Sequence, residues 1–398
     1  MKAVFVVEAL RTPVGKFGGT LSHIRPDDLA AFILKKVAAK NTWLNLNELE
    51  EVILGAANQS GEDNRNVARM AALLAGFPVS VSGVTVNRLC ASGLQAIADA
   101  AKNISTNNGE IYMAGGVESM SRAPYVLSKA ETSFSRTQQM YDTAIGWRFT
   151  NPAFAKDITY SMGETAENVA KKWNISREAQ DTFALASQQK YETAFITGKF
   201  TDEIEAIEVE VERGKTVLFE KDEHPRKTTL ESLAKLKPAF VKDGTVTAGN
   251  SSGINDGTAA LLLVSEDVVK TNNLKPLARV VSSAAAGVEA AYMGIGPVPA
   301  TQKALKRAGI TISDIGLAEL NEAFASQSLA CLQELELNPN IVNVNGGAIA
   351  IGHPLGCTGA RISATLLHEM QRRENVRYGL ATMCIGVGQG MAVIYEKC

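Results

Sequence analysis

Residues 84–114 read VTVNRLCASGLQAIADAAKNISTNNGEIYMA. Val84–Val86 opens as a short β-branched strand. From about Ala91 to Asn103, the apolar residues Leu94, Ile97 and Ala101 recur at three- and four-residue spacing, which lays them on one face of a helix. Glu110–Ala114 returns to an apolar strand. Strand, amphipathic helix and strand in one run predict an α/β fold with a mainly parallel sheet, because parallel neighbours need a crossover of this kind.

The rhythm extends in both directions. Upstream, Ala3–Val7 and Val52–Ala56 read as buried strands, and Pro26–Ala38 carries Leu29, Ile33 and Val37 at helical spacing. From about Ser119 to Gly249 it weakens. Aromatic and charged residues interleave there, with one clear helix start at Ser176 before Glu178–Thr197. This stretch reads as an inserted loop domain, and long insertions tend to carry function, for example as a substrate lid. The alternation resumes at Ala259–Val264. Strands follow at Arg279–Ser283, Leu317–Leu320 and Ile341–Val344, with helices at Ala300–Ala308, Ala323–Glu334 and Thr358–Arg372. Two strands, Tyr378–Cys384 and Met391–Tyr395, close the chain around the glycine-rich loop IGVGQG. Two similar halves point to an internal duplication.

The 398 residues are 45% hydrophobic and 21% charged, with a net charge of −2. That is chain enough for two or three domains and a core that needs no staples. No long basic run is present, so neither nucleic acid nor an anionic membrane surface is an expected partner. No apolar run of ~20 residues predicts a membrane helix. The N-terminal apolar run is too short for a secretion signal, and the final YEKC is not a peroxisomal tripeptide, so a cytoplasmic location is expected. The five cysteines, Cys90, Cys331, Cys357, Cys384 and Cys398, are odd in number and lack a CxxC pair. The four histidines lack HxxxH or HExxH spacing. Neither a disulfide framework nor a metal site is expected.

Four residues carry candidate chemistry. Cys90 lies at a strand-to-helix junction, where the helix dipole and nearby N–H groups favour a thiolate; alone, it also reads as a small buried helix-start residue. His353, in GGAIAIGHPLGCTGAR (346–361), can take a proton from a neighbouring thiol or simply occupy an exposed turn. Cys384 opens CIGVGQG (384–390) and reads as a second acid/base or as an ordinary strand cysteine. Asn321 stands at a strand end before a helix, where it also suits a cap.

Six blocks together are more specific than any one of them: NRLCASG (87–93), GGVESMSRAP (115–124), TAGNSSGINDG (247–257), LNEAFA (320–325), GGAIAIGHPLGCTGAR and CIGVGQG. In order and approximate spacing they resemble the thiolase family, over Met1 to Cys398. The resemblance implies a thiolase-like fold: two duplicated βαβαβαββ halves with parallel-rich sheets in an α-β-α-β-α layered arrangement, plus the inserted loop domain. The matching boundaries are 1–118 with 250–268, then 119–249 for the loop domain, then 269–398. It implies an acyltransferase acting on 3-oxoacyl-CoA. Cys90 would be acylated, His353 would activate it, and Cys384 would move the proton at the substrate α-carbon. Asn321 would hold a water that forms one oxyanion hole with His353, and the backbone N–H groups of Cys90 and Gly386 would form the other. CoA enters as a substrate, with no permanent cofactor and no metal. Positions matching the family's CoA pocket are Ser252, Arg226, Ser232, Phe240, Ala248, Met162 and Phe324, with Met293 and Gly294 near the acyl end. A homodimer or homotetramer is implied.

One departure bears on substrate. Thiolases that make acetoacetyl-CoA usually carry histidine where this chain has Ser161. ANQSGEDNRNVARMA (57–71), GGVESMSRAPYVLSKAETSFSR (115–136), YDTAIGWRFTNP (141–152) and KDEHPRKTTLESL (221–233) instead resemble 3-oxoadipyl-CoA thiolases of aromatic-acid degradation. Such a substrate ends in a carboxylate, which needs a cation if buried. Arg148 is the first candidate, with Arg122 and Arg136 behind it. An acetoacetyl-CoA thiolase running in the condensing direction is the alternative. A decarboxylating condensing enzyme would carry histidine or asparagine where Cys384 stands. A cysteine hydrolase would have no reason to hold the CoA-pocket motifs, and a non-catalytic CoA-binding relative would be expected to lose one of the three catalytic positions.

Overall fold

The computed structural model describes residues 2–398. Its main sheet has ten strands, a two-residue strand Gly15–Lys16 that pairs with Asn255–Asp256 and nine longer ones: β1 (Val4–Arg11), β2 (Glu51–Gly55), β3 (Ser82–Val86), β4 (Ile111–Ser119), β5 (Asn255–Ser265), β6 (Ala278–Gly287), β7 (Ile315–Leu320), β8 (Tyr378–Ile385) and β9 (Gln389–Lys397). The main helices are α1 (Pro26–Lys40), α2 (Val67–Leu74), α3 (Ser92–Ser105), α4 (Met162–Lys172), α5 (Arg177–Ile196), α6 (Pro297–Ala308), α7 (Ala325–Leu335) and α8 (Leu355–Gln371).

The first half pairs in the order β3-β2-β4-β5-β1 and the second in the order β7-β8-β9-β6. Val342 bridges Ala318 outside β7, in the place β3 takes in the first half, so the two orders correspond strand for strand. The halves join where β1 meets β6, through Phe5 opposite Arg279 and Val6 opposite Ala278. The duplication read from the alternation is thus present in the topology.

Two details differ from expectation. The sheet is mixed: β2–β3, β2–β4 and β7–β8 are parallel, and the remaining neighbours run antiparallel. β9 follows β8 through a turn too short for a crossover, which forces the antiparallel pairing. The strand expected over residues 341–344 is reduced to the single Val342 bridge. Asn343 sits in left-handed backbone (φ 45°). Its side chain takes Leu320 N–H at 2.9 Å and donates to Leu320 O at 2.8 Å, standing in for a strand ladder.

Alternation within the strands builds the layers. Leu261 and Leu263 of β5 face a core shared with Leu94 and Ile97 of α3 and Ile362 and Leu366 of α8; Ala260, Leu262 and Val264 face Leu29, Ile33 and Val37 of α1. In the second half, Met383 and Val393 face the same α3/α8 layer, and Leu380 and Ile394 face Ala304 of α6 and Leu335 of α7. Helices therefore cover both half-sheets and fill the space between them, five layers in all. Every residue of β5 is buried, as a strand covered on both faces requires.

The segment between β4 and β5 holds α4, α5, a short helix Leu230–Ala234 and two hairpins, Tyr125–Leu127 with Met140–Asp142 and Ile207–Glu212 with Lys215–Phe219. The second hairpin buries Ile207, Val209 and Phe219 against the α1 side of the first half.

Candidate active site

The turn that ends β3 carries Cys90. Leu89 is left-handed (φ 48°), which bends the chain sharply just before the cysteine. Ser92 locks the bend, since its hydroxyl donates to Leu89 O at 2.6 Å and accepts from Arg88 N at 2.9 Å. α3 then starts, leaving Cys90 at its foot. A Cβ on Gly93 would lie 2.7 Å from Gly356 O and 2.9 Å from Ala360 N, so α3 and α8 meet backbone to backbone. His353 is two residues ahead of α8. The glycine contact is what brings the nucleophile's helix and the histidine's helix together.

His353 is buried. Its Nδ1 is 2.7 Å from Thr358 Oγ1, and that hydroxyl is also 3.0 Å from Pro354 O. The hydroxyl has one proton, and the carbonyl can only accept it. The imidazole therefore donates from Nδ1, leaving the Nε2 lone pair free. Nε2 lies 3.5 Å from Asn321 Nδ2. Asn321 N donates to Thr382 O at 3.0 Å, which ties it to β8 two residues before Cys384. Asn321 Oδ1 is buried and makes no hydrogen bond within the protein. His353 N donates to Asn255 Oδ1 at 2.9 Å, holding the loop from below. Thr358 and Asn255 lie inside motifs quoted above, but no spacing marks them as the partners of the histidine.

The electrostatics run against the sequence expectation for the nucleophile. Burial pushes the Cys90 thiol up to about 11, although the backbone N–H groups of Gly386 and of Cys90 itself point at its sulfur and oppose that rise; the Glu118 carboxylate adds to it. Burial, assisted by the Arg361 charge, pushes His353 down to about 3. Both groups, thiol and imidazole, are thereby favoured in their neutral forms. Burial also holds Cys384 well above the ordinary thiol range, with Cys90 and Cys331 contributing, so its thiol stays protonated. In the free protein, alkylation of Cys90 by iodoacetamide, followed by peptide mass spectrometry, should rise about tenfold per pH unit up to pH 10 without levelling off. A plateau near pH 8 would mean an ion pair already exists.

Some of the CoA-pocket candidates adjoin this centre. Met162, Met293 and Phe324 share one apolar cluster with Cys384. Phe240 meets Phe324 edge-on at 6.0 Å between ring centres. Gly294 is buried against Gln327, and a Cβ there would come within 2.8 Å of that side chain. Arg226 is exposed and its Nη2 donates to Ala248 O at 3.1 Å. Ser252 N donates to Ala323 O at 3.0 Å. Ser232 lies on the Leu230–Ala234 helix, whose Leu233 packs on Ala325. Ser161 caps α4 in a reciprocal pair with Glu164.

The three arginine candidates separate. Arg122 is committed to Glu62, with Nη2 2.7 Å from its carboxylate. Arg136 is exposed. Arg148 is half-buried and contacts only neutral oxygens, Thr143 O and Asn58 Oδ1, each at 3.4 Å. Among the described residues no cluster of three His, Cys, Asp or Glu could hold a metal ion, and no helix is long and apolar enough to cross a membrane.

A duplicated five-layer α/β fold with a cysteine and a histidine at the feet of its two central helices defines an acyltransferase class. The chain belongs to the thiolase family: residues 4–267 match the thiolase N-terminal domain and 274–397 the thiolase C-terminal domain. Over its whole length, and the whole length of each relative, it is 53% identical to a 3-oxoadipyl-CoA/3-oxo-5,6-dehydrosuberyl-CoA thiolase of Escherichia coli and to a β-ketoadipyl-CoA thiolase of Pseudomonas putida. It superposes on the Bacillus anthracis acetyl-CoA acetyltransferase with a TM-score of 0.94 at 44% identity, covering 100% of this chain and 99% of that one. Against human mitochondrial 3-ketoacyl-CoA thiolase in complex with CoA, the TM-score is 0.92 at 42% identity, with 100% and 98% covered.

Proposed function

We infer that this thiolase cleaves 3-oxoadipyl-CoA with CoA, giving acetyl-CoA and a four-carbon dicarboxylic acyl-CoA. The observation that carries the reading is Arg148, a half-buried guanidinium on the inserted segment with no carboxylate partner among the described residues. The printed substrates of the two curated relatives support it. A terminal carboxylate would supply the missing charge.

The steps follow from the site. Cys90 sulfur attacks the 3-oxo carbon while His353 Nε2 takes the thiol proton. The C2–C3 bond breaks, and the electron pair left on C2 collects the proton of Cys384, releasing acetyl-CoA. The thiol of CoA then gives its proton to the Cys384 thiolate while its sulfur attacks the acyl carbon, and the Cys90 sulfur leaves and takes back the proton held on His353 Nε2. Cys384, pushed far up by burial, begins in the protonated form that the release of acetyl-CoA needs. The N–H groups of Cys90 and Gly386 face the negative oxygen of one half-reaction; Asn321 and His353, through a water, serve the other. One such donor is worth roughly 3 kcal/mol of barrier. CoA would lie along Ser252, Arg226, Ser232, Phe240, Ala248 and Met162, and the acyl chain beside Phe324, Met293 and Gly294. Residues 119–249 would form the substrate-holding loop domain between units 1–118 with 250–268 and 269–398. The assembly would be a homodimer or homotetramer in the cytoplasm.

The test compares kcat/KM for acetoacetyl-CoA, 3-oxooctanoyl-CoA and 3-oxoadipyl-CoA. A preference for 3-oxoadipyl-CoA is expected; a preference for acetoacetyl-CoA would favour the condensing alternative. Arg148→Ala should raise KM for 3-oxoadipyl-CoA about 10-fold or more, the loss of one charged hydrogen bond, and leave the neutral chains nearly unchanged. Equal effects on all three would sink the carboxylate reading.

A further inference from the structure

Glu118, at the end of β4, is buried and takes no part in the steps above. Its Oε2 accepts from Gly356 N at 2.8 Å and Ala57 N at 2.9 Å, and its Oε1 accepts from Asn58 N at 3.2 Å. Gly356 is in the first turn of α8, three residues past His353. Ala57 and Asn58 form the turn after β2. Among the described residues no basic side chain pairs with Glu118, so three main-chain donors alone satisfy this carboxylate. A buried charge is costly unless it is paired or well hydrogen-bonded, so the three donors are what hold this carboxylate in place. The other titratable groups whose fields meet it are Asp63, Cys90 and Cys357.

We propose that Glu118 is a positioning residue for the reaction: it pins the start of α8, directly behind His353, to the turn after β2, and so sets the spacing of the imidazole and the Cys90 thiol. It acts through those two groups without touching substrate. The same turn extends the anchor outward, because Asn58 Nδ2 donates to Thr143 Oγ1 at 3.1 Å and Asn58 Oδ1 accepts from Arg148. One carboxylate thus ties the catalytic floor to the segment that bears Arg148. The proposal rests on Cys90 and His353 as nucleophile and base, and is independent of which acyl chain is cleaved.

Burial raises the Glu118 carboxyl to about 7, against the pull of the Ala57, Gly356 and Asn58 donors and with Asp63 adding to the rise. Its charge is therefore within reach of ordinary titration, and when ionised it holds the Cys90 thiol up. Two variants separate position from charge. In Glu118→Gln, the amide turns an NH2 toward a main-chain donor. Turnover should fall by ~100-fold, the scale of a 1 Å misplacement, with KM for CoA little changed. Above about pH 7, where Glu118 is ionised in the wild type, Cys90 should nonetheless alkylate faster in the variant, because a nearby negative charge is gone. Glu118→Asp keeps the charge and shortens the reach, so turnover should fall while the Cys90 alkylation profile stays in place. Wild-type turnover in either variant would overturn the proposal, as would an alkylation profile in Glu118→Gln that overlays the wild type's. If Glu118→Gln fails to fold, Glu118→Asp carries the test. Loss of thiolysis in Cys90→Ser is the control: if that variant still turns over, the nucleophile is wrong and Glu118 is not the cause.

Discussion

Replacing Cys90 with serine should remove CoA-dependent cleavage by at least ~10⁴-fold, and no acyl-enzyme should appear by intact mass. The surroundings make the exchange severe. Even the thiol is pushed up to about 11 there, and the base beside it is pushed down to about 3. A hydroxyl gives up its proton far less readily than a thiol, so the same imidazole cannot activate it. Serine is smaller in van der Waals terms, and the turn held by Ser92 does not depend on the cysteine side chain. Folding and CoA binding should therefore survive, and a thermal melt unchanged from wild type checks that. Residual turnover within a hundredfold of wild type would remove Cys90 from the centre of the mechanism.

Arg11→Ala should cost about 3–5 kcal/mol of stability, the range for orphaning a buried charge. Arg11 is fully buried on β1. Its Nε lies 2.7 Å from Glu203, and its Nη1 and Nη2 lie 2.7 and 3.1 Å from the two oxygens of Asp222. Both carboxylates belong to the inserted segment, and both are buried. Without the guanidinium, two acids remain in a dry site with no cation to balance them. Denaturant melts of the variant and the wild type would check the loss. Arg11→Lys should recover only part of the loss, since one ammonium cannot span Glu203 and both oxygens of Asp222.

Strands and helices that lie in one apolar run were legible in the sequence. Val84–Val86, Leu94–Ala101 and Ala259–Val264 fall inside β3, α3 and β5, where local periodicity and burial agree. Short or locally ambiguous elements were not. α2 is only eight residues, and the 207–219 hairpin alternates valine with charge on a segment otherwise read as loop. α4 carries a local signal in the sequence, the Ser161–Glu164 capping box. Asn343 defeats periodicity in another way: its side chain, in place of its backbone, supplies the ladder. At the candidate site, Cys90, His353, Cys384 and Asn321 are legible as candidates because they stand in the quoted motifs. Asn255 and Glu118 stand in the same motifs, but their contacts cross the chain, 98 residues from Asn255 to His353 and 238 from Glu118 to Gly356, and no local pattern encodes that; Thr358 lies only five residues from His353, yet spacing alone does not mark it as the partner. The direction of the Cys90 shift was also misread. A helix start favours the thiolate, and only the packed structure shows burial outweighing it.

The meeting of α3 and α8 through Gly93 and Gly356 has a consequence for how such an enzyme changes over time. The approach of α3 to α8 is set at that point by main chain against main chain, with no side chain between them to trim or enlarge. Mutation has little to adjust at that contact. On the proposed reading, new substrate preferences would arise elsewhere, at inserted-segment side chains such as Arg148, Met162 and Phe240, which can vary without touching that contact. The molecule is a fixed reaction carried beneath an adjustable mouth, and a designer seeking a different acyl chain should leave the floor untouched and rebuild the inserted segment alone.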